Sequence, residues 1–217
     1  MDKPMQIARS ELILGGQKSG KSRRAEGLAQ SWLAQSASHH ALLIATAQPG
    51  DDEMRQRIAR HQSDRAQRVP GMTTVEEPLH LAQAIFQHSR PDTLIVVDCL
   101  TLWLTNWLMP ADKPLPAARA APNTPEGRDT CTEKFITNQH LAHMDKGQVA
   151  LLLEAISNAA GPLVLVGNEI GLGVIPMGRE VRAFVDALGL LNQSVAQVCQ
   201  RVTLMAAGLP LTLKALL

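Results

Sequence analysis

Gly15-Gly16-Gln17-Lys18-Ser19-Gly20-Lys21-Ser22 fits the pattern G-x-x-x-x-G-K-[ST] and stands between a short apolar run and an amphipathic one. Glycines let a backbone bend until successive N–H groups face an anion, and the start of a following helix adds positive potential. Lys21 offers a point charge to β- and γ-phosphates, and the Ser22 hydroxyl offers a hard oxygen to Mg²⁺. The pattern therefore selects a nucleoside triphosphate. Such a loop needs a second acid near the Mg²⁺ shell, at the end of a buried strand. Leu94-Ile95-Val96-Val97-Asp98 is the one run of that form in the chain, so Asp98 is the candidate.

Other reactive residue types carry less. His39-His40 and His140-x-x-His143 lack accompanying cysteines or carboxylates at structural-zinc spacing, and solvated histidines explain them. Cys99, Cys131 and Cys199 are odd in number and contain no Cys-x-x-Cys pair, which argues against a disulfide framework and fits a reduced, cytoplasmic setting. Cys99, next to Asp98, reads as a buried free thiol without chemistry.

The elements that must position these residues follow from periodicity. Strands are predicted at Glu11–Leu14, Ala41–Ala45, Leu94–Asp98, Leu163–Val166 and Val202–Ala206, with weaker ones at Thr73–Glu76 and Leu211–Lys214. Helices are predicted at Lys21–Ala34, Asp52–Arg65, Leu79–His88, within Glu133–Ala159 and at Arg179–Gln200. In the last, Val181, Phe184, Val185, Leu188, Leu191, Val195 and Val198 recur every three or four residues and define one buried stripe. Alternation of strands with helices predicts an α/β fold with a mostly parallel sheet. Five prolines between Met109 and Asp129 mark a surface insertion. At 217 residues a single domain covering 1–217 is expected.

Composition excludes several classes. With 21 Lys+Arg against 20 Asp+Glu, no bulk field attracts nucleic acid or an anionic membrane. Leu94 to Met109 is interrupted by Asp98, Thr101, Thr105 and Asn106, well short of the ~20 apolar residues of a membrane span. There is no Asn-Lys-x-Asp element to read guanine as in regulatory GTPases. At 3% aromatic, with no tyrosine, the chain lacks the stacking groups of a nucleic-acid motor. A small P-loop transferase remains.

Further segments carry a resemblance. They are Gly15–Arg23 with Ala25-Glu26; Ile44-Ala45-Thr46-Ala47; Asp51-Asp52-Glu53-Met54 with Arg57-Ile58 and His61; and Thr74-x-Glu76-Glu77-Pro78. The series continues with Asp98-Cys99-Leu100-Thr101 and Asn106, then Asn168-Glu169-Ile170-Gly171-x-Gly173-Val174-Ile175-Pro176, then Asn192-Gln193. In this order, from Leu12 to about Gly208, they resemble the bifunctional adenosylcobinamide kinase/adenosylcobinamide-phosphate guanylyltransferase family of cobalamin biosynthesis. The resemblance implies a RecA-like P-loop fold, a homotrimer, and two reactions on a corrinoid. The terminal phosphate of ATP or GTP passes to the aminopropanol hydroxyl of adenosylcobinamide. GMP from GTP then passes through a histidine to the cobinamide phosphate, giving adenosylcobinamide-GDP.

Carried over residue by residue, the resemblance makes His61 the nucleophile, a role imidazole suits as a good nucleophile when neutral and a good leaving group when protonated. Beside Gly15 to Ser22 it places Ala45, Thr46, Ala47, Gln62, Ser63, Asp64, Arg65, Glu76 and Asp98 at the nucleotide. Read by itself, Glu76 also suits a helix-start charge, and 62–65 an exposed helix end. Asn168 to Gly173 is a tight loop beside the ligand crevice, shaping the cobinamide or phosphate side, although a purely structural turn fits it equally. Met72, Leu190 and Arg60 stand where the family commonly has Trp, Arg and, in some members, a second His. The Pro-rich stretch has no counterpart in the family pattern.

Overall fold

The computed structural model describes residues 6–49, 52–109, 147–174 and 176–215, with all side chains of these except those at 53, 54, 57 and 61. Among the described residues seven strands form one sheet: β1 (Ser10–Gly15), β2 (His40–Ala45), β3 (Thr73–Glu76), β4 (Thr93–Asp98), β5 (Leu163–Val166), β6 (Arg201–Ala206) and β7 (Leu209–Ala215), in spatial order β3-β2-β4-β5-β1-β6-β7. All neighbours run parallel except the β6–β7 hairpin. The helices are α1 (Lys21–Leu33), α2 (Asp52–Arg68), α3 (Leu81–His88), α4 (Leu100–Leu108), α5 (helical residues 147–158) and α6 (Arg179–Val198).

Strand residues alternate between two cores, as the period of two requires. Ile13, Leu43, Val96 and Val164 pack on one face with Ala25, Leu28 and Ala29 of α1. Leu12, Leu14, Ile44, Val97 and Leu165 pack on the other with residues of α3, α4, α5 and α6. Both faces of the central strands are therefore covered, and those strands read as unbroken apolar runs. The expected α/β architecture and all seven strands are present.

Some boundaries differ. α4 has no counterpart among the helices expected from sequence. Its run Leu-Thr-Leu-Trp-Leu-Thr-Asn-Trp-Leu hides a stripe in a nearly all-apolar segment: Leu100, Trp103 and Leu104 are buried, and the Trp103 and Trp107 indoles both donate to the Leu79 carbonyl. α3 starts at Leu81 instead of Leu79, because the Glu77 carboxylate accepts from the amides of Leu79 and His80 and holds them outside the helix. The α6 stripe is buried only at Leu188, Leu191 and Val195; Val181 and Val198 are exposed. The Pro-rich span, Cys131, His140 and His143 lie outside the described residues.

Candidate active site

The strand register assembles the site. Glu76 pairs with Ala45, and Ala45 with Asp98, so these three form one row across β3, β2 and β4 at the C-terminal edge of the sheet, on the side that α1 covers. Ligands of open α/β sheets gather at this edge. β1 ends beside it, and the loop from Gly15 to Gly20 rises there into α1.

Two glycines are obligatory. Gly15 has φ +152°, and a Cβ on it would stand 2.5 Å from the Met205 carbonyl oxygen; Gly20 has φ +100° immediately before α1. Lys18 also takes a positive φ, of 57°. The Lys21 ammonium donates to the Gly16 carbonyl at 2.6 Å, which folds its side chain back along the loop. One turn into the site, the Ser22 hydroxyl donates to Asp98 Oδ2 at 3.2 Å. The predicted loop and the predicted acid, 76 residues apart in sequence, are thus in direct contact. A hydroxyl and a carboxylate side by side are hard oxygen donors, the set that suits Mg²⁺ alongside phosphate and water. Ser19 is buried with no partner for its hydroxyl.

A brace that the motif did not announce supports the loop. β6 and β7 are joined by Ala207 and Gly208, at φ 51° and 80°, a two-residue turn of the kind that suits the twist of a hairpin. The Gly208 amide donates to the Ser19 carbonyl at 3.0 Å. An Ala-Gly pair between two apolar runs was the available signal.

α2 docks on α1 through Arg68, which donates to Glu26 at 3.0 Å and to Asp64 at 3.4 Å. One turn earlier, Arg65 is half-buried: burial pulls its guanidinium below the ordinary value, opposed by the nearby Asp98 and Glu26 carboxylates. This side of α2 therefore faces Glu26 of α1 and Asp98. Position 61 lies one helical turn before Arg65, on the same side of the backbone; the His61 side chain lies outside the described part. Gln62 and Ser63 are exposed, and Asp64 is tied to Arg68.

Thr46 has a different place from its neighbours. It is fully buried, its hydroxyl bonds both the carbonyl and the amide of Cys99, its amide donates to the Asp98 carbonyl, and its carbonyl accepts from Asn106. Every polar atom of Thr46 thus holds the start of α4 against the end of β2. Asn106 also donates to the Pro78 carbonyl, so one amide joins three segments behind the row. Glu76 is exposed, and the helix-start role belongs to Glu77. Cys99 is buried, its thiol pushed up to about 11 by burial with the Asp98 charge adding to it, and its sulfur accepts from the Leu102 amide.

The loop after β5 lies against the same site. The Glu169 amide donates to the Gly15 carbonyl at 3.1 Å, the Asn168 amide to Thr101 Oγ1 at 2.8 Å, and the Asn192 side chain to the Asn168 carbonyl at 3.1 Å. Two cavities of about 290 and 430 Å³ open instead at the N-terminal ends of the strands, beside His40, Thr73 and Thr93, and beside Ile7, Trp32 and Pro162. Neither contains a residue of the phosphate loop. A loop of backbone amides on an open sheet edge can receive an anion without an enclosed cavity.

Among the described residues no helix is long and apolar enough to cross a membrane, and no cluster of three His, Cys, Asp or Glu stands ready for a metal. A solved structure of a protein from Pyrococcus horikoshii OT3 superposes with a TM-score of 0.50 at 8% identity, covering 99% of this chain and 90% of that one; it speaks to the fold alone. The bifunctional adenosylcobalamin biosynthesis protein CobP of Pseudomonas aeruginosa is 42% identical over 94% of this chain and 96% of its own. The corresponding protein CobU of Escherichia coli is 30% identical over 94% and 98%. The model of the family described as cobinamide kinase/cobinamide phosphate guanyltransferase matches residues 11–213. With the phosphate loop joined to its acid and the match running through nearly the whole sheet, the chain belongs to the cobinamide kinase/cobinamide phosphate guanyltransferase family.

Proposed function

We propose that this bifunctional transferase phosphorylates the aminopropanol hydroxyl of adenosylcobinamide with ATP or GTP, and then guanylylates the product through His61. The observation that carries the reading is the contact of Ser22 with Asp98 beneath a loop whose Lys21 is already folded inward. Backbone amides from Gly15 to Ser22 and the Lys21 ammonium hold the triphosphate and orient it. Ser22 and Asp98 hold Mg²⁺, which when bound offsets phosphate charge. Arg65, Glu76, Ala45 and Ala47 line the nucleotide, with Gln62, Ser63 and Asp64 at its outer side, while Thr46 keeps the edge rigid.

In the first reaction the acceptor hydroxyl oxygen bonds to the γ-phosphorus, the bond from that phosphorus to the β,γ-bridging oxygen breaks to release the nucleoside diphosphate, and the hydroxyl proton passes to water. Positioning and charge neutralisation suffice for this. In the second, a His61 ring nitrogen bonds to the α-phosphorus of GTP and pyrophosphate leaves. A phosphate oxygen of cobinamide phosphate then displaces the histidine, restoring it. One phosphate loop serves both steps within a single domain. The same proposal includes the homotrimeric assembly and cytoplasmic setting that the resemblance implies.

The test is incubation with α-labelled GTP and Mg²⁺ followed by denaturation. Label should remain on wild-type protein as an acid-labile, base-stable phosphoramidate, and His61→Ala should lose it while still phosphorylating cobinamide. An adduct that survives in His61→Ala assigns the nucleophile elsewhere. Absence of any adduct on wild type leaves a kinase alone.

A further inference from the structure

Beyond the nucleotide site, residues 168–174 and 176–178 combine anchored backbone with exposed apolar side chains. The first piece is held by the three hydrogen bonds of Asn168 and Glu169 to Thr101, Gly15 and Asn192, and the Glu169 carboxylate turns back to accept from the Gly171 amide at 2.8 Å. The second is held by Arg182 of α6, whose guanidinium donates to the carbonyls of Pro176 (3.0 Å) and Met177. Beside these anchors Leu172 is 81% exposed, Val174 96% and Met177 95%. Three large apolar side chains standing in water on anchored backbone is not the economy of a surface loop, where scattered single apolar residues are the norm.

The position says what they meet. Glu169 touches the residue that opens the phosphate loop, and three residues of chain separate it from Leu172, at most about 11 Å. Leu172, the first of the three, therefore lies within reach of the loop that the reading above assigns to the phosphates, and Val174 and Met177 follow it along the chain. The acceptor of this family is cobinamide, a corrinoid whose macrocycle carries ring methyls and methylenes over a broad, nearly flat body. We propose that Leu172, Val174 and Met177 form the shelf on which the corrin ring of the acceptor lies, placing its hydroxyl arm towards the phosphate loop. This rests on the functional reading above and adds the surface that selects the substrate. The bonded polar atoms of Asn168, Glu169 and Gly171 hold the loop's shape; the shelf contributes apolar contact, and it serves both reactions because both acceptors carry the same ring.

The experiment compares wild type with the triple variant Leu172→Ser, Val174→Ser, Met177→Ser, and with the conservative triple Leu172→Ile, Val174→Ile, Met177→Leu. Kinase rates are measured over a range of cobinamide at saturating ATP or GTP, and over a range of nucleotide at saturating cobinamide. The serine variant should raise KM for cobinamide by roughly tenfold to a hundredfold, leave the KM for nucleotide and the melting temperature unchanged, and the conservative variant should restore the wild-type KM. An unchanged cobinamide KM in the serine variant overturns the shelf while leaving the function standing. A change in solution mass of the serine variant, read by light scattering, overturns it in favour of a second copy of the chain on this surface. If wild type binds nucleotide and does not turn over cobinamide, the functional reading fails first and the shelf with it.

Discussion

Replacing Glu11 by Ala should unfold this protein more readily than any surface change, and the size of the effect follows from four contacts. Glu11 heads the strand that ends in the phosphate loop and is 1% exposed. Its Oε1 accepts from Arg24 Nε at 3.0 Å, Arg24 Nη2 at 2.9 Å and Thr203 Oγ1 at 2.8 Å, while Arg201 lies 3.5 Å from Oε2. The carboxylate thus ties β1 to the first turn of α1 and to β6, the strand whose turn braces the loop. Its removal strands the Thr203 hydroxyl, which is fully buried, and leaves two guanidiniums without their counter-charge. Breaking a buried ion pair from one side costs about 3–5 kcal/mol. Arg24 and Arg201 keep partial access to water, so the lower half of that range is expected. For a chain of this length about 3 kcal/mol corresponds to a melting point lower by roughly 6–12 °C. Urea unfolding of wild type, Glu11→Ala and Glu11→Gln, with the m-value held constant, measures it. Glu11→Gln keeps an acceptor for Thr203 and should cost less. A loss below about 1 kcal/mol for Glu11→Ala, or additivity with Arg24→Ala within about 0.5 kcal/mol, would refute the network as described.

Asp98→Asn preserves an acceptor for the Ser22 hydroxyl while removing the charge, so the Mg²⁺ concentration for half-maximal kinase activity should rise by about tenfold to a hundredfold; an unchanged Mg²⁺ titration would remove Asp98 from the metal shell. The two buried cysteines make a pH prediction: burial pushes the Cys99 thiol up to about 11 and that of Cys199 up to about 12, against 9.0 when unfolded. Below pH 9 both states hold these protons and the stability is fully present. As pH rises past 9 the unfolded chain releases protons that the native state keeps, so stability falls by about 1.4 kcal/mol per pH unit for each thiol until its folded value is reached. Urea midpoints between pH 8 and 10.5 should fall, and Cys199→Ala should fall less steeply; parallel curves for the two proteins would refute the assignment.

Much of this is legible in the sequence because it is local. The phosphate loop is a backbone device, eight residues long, whose glycines, lysine and serine act through their own neighbours, so type and spacing suffice to read it. The buried strands were visible as apolar runs ended by turn residues, and Asp98 as the acid closing one of them. α4 was missed for the converse reason: in a segment apolar on nearly every side, the helical stripe of Leu100, Trp103, Leu104 and Trp107 has little polar contrast to stand against. The α6 stripe was overextended because periodicity marks a face without saying how much of it is covered.

What only the tertiary structure decided is which distant residues meet. The row of Glu76, Ala45 and Asp98 depends on β2 lying between β3 and β4, a strand order that no window of sequence contains. Thr46 and Glu77 are joints of the frame, bonded to Cys99 and to the amides before α3, and Glu11, a charge at a strand start, is the centre of a buried network. Gly208, 188 residues from Gly20, approaches it so closely that a Cβ on Gly20 would stand 3.3 Å from the Gly208 Cα. Side-chain chemistry is written in residue type, but burial and partnership are properties of packing, and packing is set by strand pairings whose loops close over tens to nearly two hundred residues.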